Sequence, residues 1–345
     1  MKYRIYTTSK KAWDAMIKSI LGATESIYME MYIFLGDTNT THDFLGILKR
    51  KAQSGVEVVL IVDAFGSMDL KGEMVTELRA AGVELIFFSH WLRRTHRKFL
   101  IVDTRTAFMG GVNIENKIIN WRDVQIRLQG RIVKPILKSF AYAYKMSGGQ
   151  KTSILQYNNH SLTKKLKGWL IDNWSNTQHS YYLNNYYKQK IIEAQKSIKL
   201  VTPYLLPPRW LLALLDNAVR RGVSVEIILP NQTDLKSLDK INYLNACRLS
   251  AMGVKFYFFP SMNHAKLMLV DDEEGVIGSQ NLDILSFGFN MEAGIFFRQK
   301  NIINELGHLI ERWKRESEFF ESGLKKISFK DKLLIAIFKI FYPIF

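Results

Sequence analysis

The chain has 345 residues, is 47% hydrophobic, and carries a formal net charge of +16. That length suits two domains or one duplicated domain with a sizeable core. A lone cysteine, Cys247, excludes an intrachain disulfide framework and a multi-cysteine zinc site and suits a reducing compartment. No uninterrupted apolar run reaches the roughly 18 residues that would predict a membrane-spanning helix. The N-terminus, from Met1 to Tyr6, lacks the apolar stretch of a signal peptide. The basic excess favours an anionic partner, without choosing between nucleic acid, an anionic membrane and a phosphorylated substrate.

In chain order, Trp13, Met16, Ile17, Ile20 and Leu21 recur at helical spacing. Ala23-Thr24-Glu25-Ser26-Ile27-Tyr28 leads into a strand. Ser54-Gly55-Val56 and Ala81-Gly82-Val83 each predict a helix ending at glycine, followed by a buried strand. Phe99-Leu100-Ile101-Val102 is a short apolar run that reads as another buried strand. The series then repeats. Ala194 to Lys199 parallels Ala23 to Tyr28, and Leu211, Leu214, Leu215, Ala218 and Val219 form a helical stripe. Arg221-Gly222-Val223 and Met252-Gly253-Val254 repeat the glycine steps, and Leu267-Met268-Leu269-Val270 repeats the apolar run.

Strands apolar on both faces, alternating with helices, predict an α/β fold. Two pseudo-symmetric halves are expected, each a mixed or parallel sheet flanked by helices. The boundaries are 1–150 for the first half, 151–184 for a connecting segment, 185–323 for the second half and 324–345 for a basic amphipathic tail. Trp169 and Trp174 suggest an ordered connecting segment. The tail holds Lys325, Lys326, Lys330, Lys332 and Lys339 against one acid, Asp331, with Leu, Ile and Phe between them. It suits an interfacial helix on an anionic surface, with docking on the protein's own core as the alternative.

The sharpest feature is a pattern that occurs twice. His96-x-Lys98-x4-Asp103-x6-Gly110-Gly111-x-Asn113 returns, in register, as His264-x-Lys266-x4-Asp271-x6-Gly278-Ser279-x-Asn281. Each copy supplies a nucleophile or acid, a phosphate-binding cation and an amide donor. Residues two apart on a strand share a face, so His96 should project with Lys98 and His264 with Lys266. Two such sets suggest one site built by two halves.

These residues resemble the phospholipase D superfamily, whose signature is a duplicated His-x-Lys-x4-Asp, and within it bacterial cardiolipin synthase. Tyr28 to Phe34, Asn120-Trp121-Arg122-Asp123, Thr202-Pro203-Tyr204-Leu205-Leu206-Pro207 and the late proline Pro343 carry the narrower likeness. Departures are the absence of two N-terminal membrane helices and an unusual segment from about 146 to 185. The resemblance implies two phospholipase D-like halves and a phosphohistidine mechanism, with His96 as nucleophile and His264 as acid and base. Lys98, Lys266, Asn113 and Asn281 would hold the phosphate oxygens. Asp103 and Asp271 belong to the catalytic motif but close strands away from the histidines, which suggests scaffold charges, paired with neighbouring basic groups. Asp123 is expected to orient His264, and Glu292 to orient His96. Glu30 and Asp63 could line the pocket or cap strand ends. Trp91-Leu92-Arg93-Arg94 and Phe287-Gly288-Phe289 could form a lipid-facing rim.

No cofactor or metal is required, because lysines supply the positive charge. The implied reaction transfers a phosphatidyl group between two phosphatidylglycerols, giving cardiolipin and glycerol. The implied location is peripheral, on the cytoplasmic face of a bacterial membrane. Hydrolysis of phospholipids is the alternative. A metal-independent nuclease fits the charge, but a nuclease has little use for the apolar tail. Oligomeric state is unassigned.

Overall fold

The computed structural model describes residues 2–90, 93–158, 170–173, 182–321 and 328–341. It divides into two compact units, 1–170 and 171–345. The first contains β1 (Lys2–Thr8), α1 (Ser9–Leu21), β2 (Ser26–Met31), α2 (Phe44–Gln53), β3 (Glu57–Asp63), α3 (Glu73–Ala80), β4 (Glu84–Phe88), β5 (Phe99–Val102), β6 (Thr106–Gly110), β7 (Arg122–Gln129), α4 (Val133–Met146) and α5 (Thr152–Leu155). Its seven strands lie in the order β1-β7-β6-β5-β2-β3-β4. β2, β3 and β4 are parallel, joined through helices, and the remaining neighbours are antiparallel.

The second unit rebuilds this plan. Its elements are β8 (Leu170–Asn173, where the chain passes from one unit to the other), α6 (Tyr182–Glu193), β9 (Ser197–Val201), β10 (Leu205–Leu206), α7 (Arg209–Arg220), β11 (Ser224–Pro230), α8 (Lys236–Ser250), β12 (Lys255–Phe259), β13 (Leu267–Val270), β14 (Glu274–Gly278), β15 (Leu282–Asp283), α9 (Ile284–Gly288), β16 (Glu292–Phe297), α10 (Lys300–Arg315), β17 (Glu318–Phe319) and α11 (Phe329–Phe341). The main sheet runs β17-β12-β11-β9-β13-β14-β16-β8. β9, β11 and β12 are parallel, as β2, β3 and β4 are in the first unit. The α/β architecture expected from the alternating pattern is therefore present twice, as mixed sheets flanked by helices.

The glycine steps explain how each helix hands over to its strand. Gly55, Gly82, Gly222 and Gly253 have φ of +88°, +91°, +85° and +96°, a region other residues enter with difficulty. Each reverses the chain after a helix, and the following valine is buried. The α1 stripe buries Trp13, Met16 and Ile20 against the first sheet, while Leu21 stays exposed.

The first unit runs past the expected boundary at 150. Lys151 pairs with Glu84 at 3.1 Å, the Ser153 hydroxyl donates to Glu57 at 2.8 Å, and Ile154 is fully buried. Most of the 151–184 segment, including Trp169 and Trp174, lies outside the described residues, as do Trp91, Leu92, Lys325, Lys326 and Pro343.

The tail departs from the favoured expectation. Helix α11 docks on the second unit: Ile335 is buried in a cluster with Leu206, Leu238, Ile241 and Leu244, flanked by Leu334 and Phe338. These side chains cover the apolar surface that α8 and β10 present. Leu333 and Ile337 still face outward, 49% and 44% exposed. Among the described residues, no helix is long and apolar enough to cross a membrane.

Candidate active site

The motif residues sit on the extended approach to β5 and β13 and on the turns that follow β6 and β14. His96 and Lys98 are buried, as are His264 and Lys266. In both units the lysine Nζ donates to the carbonyl of its own motif histidine, at 2.5 Å. Tyr32 meets the His96 ring edge-on at 4.8 Å and Tyr204 meets His264 at 6.3 Å. The Lys98 ammonium also lies 5.1 Å from the Tyr32 ring centroid.

Asn113 and Asn281 are both 4% exposed. The Trp13 indole N–H donates to the Asn113 carbonyl at 2.8 Å, which holds the turn that carries the side chain. The Asn281 backbone N–H donates to the Ser286 hydroxyl at 3.0 Å. Among the described residues, the buried side-chain oxygen of Asn281 has no hydrogen-bond partner.

Asp123 and Glu292 are fully buried, not surface acids. Asp123 lies against Gly111, where a Cβ would come within 2.2 Å of its carboxylate oxygen, so any side chain at 111 would displace the acid. The second unit has Ser279 at that place, and its hydroxyl donates to Glu292. Glu292 also accepts from Ser286 at 2.7 Å, which links the acid to the Asn281 turn. One acid is thus held by close backbone approach and the other by two hydroxyls.

Asp103 and Asp271, which the resemblance makes part of the catalytic motif, lie elsewhere. Each lies at the far end of its strand from the histidine. Asp103 accepts from the backbone N–H groups of Thr24, Glu25 and Ser26 at 2.8–3.1 Å. Asp271 accepts from Gln195, Lys196 and Ser197 at 2.7–2.9 Å. Their principal partners are backbone amides, not the basic side chains anticipated. Each aspartate latches the start of one strand, β2 or β9, to the end of its neighbour. Both occupy left-handed backbone, φ +48° and +53°, in a tight turn that brings the carboxylate over these amides. Burial acts to raise both pKa values, but the amide hydrogen bonds outweigh it and hold the carboxyls below the usual aspartate range. A lowered carboxylate stabilises the fold above its unfolded pKa of about 3.9, and the contribution fades as pH falls through the folded value. Asp103→Ala should therefore cost about 2 kcal/mol at pH 7 in urea unfolding, and clearly less near pH 3. An equal cost at both pH values would refute the latch.

Beneath His96 lies an ion pair that motif reading missed. The Arg97 guanidinium donates to both oxygens of Glu30, at 2.6 and 3.0 Å, and to the Ser139 hydroxyl at 2.6 Å. The Thr95 hydroxyl donates to the same Glu30, and the Thr95 N–H donates to Asp63 at 2.8 Å. Glu30, Thr95 and Arg97 are completely buried. Burial pushes the Asp63 carboxyl up to about 6 against the pull of the Gly66 and Thr95 amides. Glu30 and Asp63 thus anchor the residues on either side of His96. The available signal was an acid inside the apolar run Tyr28-Met29-Glu30-Met31 and a base at the start of the next apolar strand. Of the expected rim, Phe287 is buried in the core while Phe289 is 38% exposed, and Arg94 stacks over Phe65 at 4.1 Å.

The profile of a family described as "Cardiolipin synthase, PLD-like domain" matches residues 16–141 and again 187–313. The chain is 32% identical to the cardiolipin synthase of Clostridium perfringens (strain 13 / Type A) over 321 residues, covering 86% of this chain and 67% of that one. It is 28% identical to the minor cardiolipin synthase ClsB of Bacillus subtilis (strain 168), covering 88% and 79%. Across such curated relatives the chain spans as little as 62% of their length. The phosphatidylserine synthase of Haemophilus influenzae Rd KW20 superposes with a TM-score of 0.75 at 16% identity, covering 99% of this chain and 93% of that one. The polyphosphate kinase of Porphyromonas gingivalis gives 0.66 at 13% identity over 98% and 53%. At such identities these two show the fold alone.

Proposed function

The chain belongs to the family of PLD-like cardiolipin synthase domains, and from that premise we propose that it is a phosphatidyltransferase converting two phosphatidylglycerols to cardiolipin and glycerol. The observation that carries the reading is the recurrence, in both units, of a buried His-Lys pair with an asparagine turn and a buried acid. In the proposed first step a neutral His96 imidazole attacks phosphorus. A phosphorus–nitrogen bond forms, the phosphorus–oxygen bond to glycerol breaks, and protonated His264 supplies the proton that glycerol leaves with. In the second, His264 takes the proton from the hydroxyl of another phosphatidylglycerol, whose oxygen displaces His96. Lys98, Lys266, Asn113 and Asn281 offset the charge that grows on the non-bridging oxygens. Asp123 and Glu292 would each orient one histidine, Asp123 for His264 and Glu292 for His96.

The membrane reading is peripheral, on the cytoplasmic face, through the outward edge of α11. Leu333 and Ile337, one helical turn apart and both exposed, support it, with an anionic surface meeting the basic chain. The test is to incubate purified protein with phosphatidylglycerol vesicles and separate the lipids on a thin-layer plate. Cardiolipin and glycerol should accumulate together. Phosphatidic acid as the main product would show water to be the acceptor and replace transfer with hydrolysis. In flotation on the same vesicles, Leu333→Ser with Ile337→Ser should lower the bound fraction; unchanged flotation would refute attachment through α11.

A further inference from the structure

Along the free edge of the first sheet, outside the motif residues, β1, β7 and α1 line an open cavity of about 490 Å³. Arg4, Arg127, Lys11 and Lys18 line it. Arg4 and Arg127 are register partners, directly opposite on neighbouring strands. Like charges so placed destabilise a sheet pair, and among the described residues no acid pairs with any of the four cations. The one acid in the lining, Asp14, is already engaged, by His42 at 2.8 Å and Lys10 at 3.1 Å. The Arg4 guanidinium lies over the Tyr6 ring at 5.6 Å, which orders one wall.

The second unit fills the same corner with aromatic rings. Register aligns Phe108–Arg127 with Val276–Phe296, and the shared Ala-x-x-Ser steps after α1 and α6 align Ala15 with Tyr186. Tyr186 and Phe296 stack there at 5.1 Å. The first unit has Ala15 and Arg127 instead, exchanging an aromatic plug for open space and positive charge.

We propose that this cavity binds a phosphate group, held by the forks of Arg4 and Arg127 with Lys11 and Lys18 at its rim. A lipid headgroup and a soluble phosphate ester share that chemistry. The site is distinct from the transfer motif and does not rest on the catalytic reading, since binding rather than turnover reports on it.

Two probes separate the sources: sn-glycerol 3-phosphate by calorimetry, and vesicles of phosphatidylglycerol or phosphatidylcholine by flotation. Arg4→Gln with Arg127→Gln removes the charge. Ala15→Tyr with Arg127→Phe installs the plug of the second unit and should fold, as a thermal melt will show. Both variants should weaken binding at least tenfold. A loss seen with glycerol 3-phosphate assigns a soluble ester; a loss confined to phosphatidylglycerol vesicles assigns a headgroup. Lys255→Gln with Lys300→Gln, two exposed lysines of the second unit, controls for net charge. Equal weakening by this control, or unchanged binding in the plugged variant with both probes, would overturn the proposal.

Discussion

His96→Asn should abolish cardiolipin formation, and His264→Asn should slow it by about a hundredfold to ten-thousandfold. The two losses differ because the proposed roles differ. Removing a covalent nucleophile eliminates the intermediate itself, so no turnover through it remains. Removing a proton carrier leaves the intermediate accessible and forfeits only the general acid–base contribution. Intact-protein mass spectrometry at neutral pH separates the cases. Wild type and His264→Asn should carry a phosphatidyl adduct after exposure to phosphatidylglycerol, whereas His96→Asn should carry none. An adduct on His96→Asn but not on His264→Asn would exchange the roles. Asparagine keeps a polar side chain beside Tyr32 or Tyr204, so loss of activity with an unchanged melting temperature would report chemistry and not unfolding.

The legible parts of this chain are those where local chemistry has few solutions. A glycine before a valine after a helical stripe can do little but end the helix in left-handed backbone, and all four such steps do so. The motif spacing marked both His-Lys pairs because strand, turn and asparagine follow at fixed offsets. Asp103 and Asp271 show the limit of that reasoning. Their spacing is as regular as that of the histidines, yet it serves backbone amides some 80 residues earlier in the chain, and spacing does not reveal a partner. The packing of the tail on its own unit was hidden for a related reason. Leu334, Ile335 and Phe338 are as apolar as an interfacial helix requires, but which surface buries them depends on the cleft between α8 and β10, which no feature of residues 324–345 describes. Arg97 was obscured because a base inside a motif reads as substrate-facing until its buried acid partner is seen.

The Glu30–Arg97 pair also permits a stability prediction with an internal reference. Register places Val201 of β9 where β2 has Glu30, and the motif places Ala265 where the first copy has Arg97. The second unit builds the same strand junction without charge. Glu30→Val alone should cost about 3–5 kcal/mol in urea unfolding, because the fully buried Arg97 charge then loses its bidentate carboxylate. Arg97→Ala alone should cost a similar amount by stranding Glu30. Both substitutions together should cost clearly less than the sum, because neither charge is left behind. The remaining loss comes from the space vacated by the arginine and from the hydrogen bonds that the Ser139 and Thr95 hydroxyls give up, at about 1 kcal/mol each. Strict additivity would mean that the two side chains are not coupled and that the network beneath His96 is packing alone. If they are coupled, transfer activity in the folded double variant should fall through kcat, since Thr95 and Arg97 flank the histidine and Glu30 fixes both.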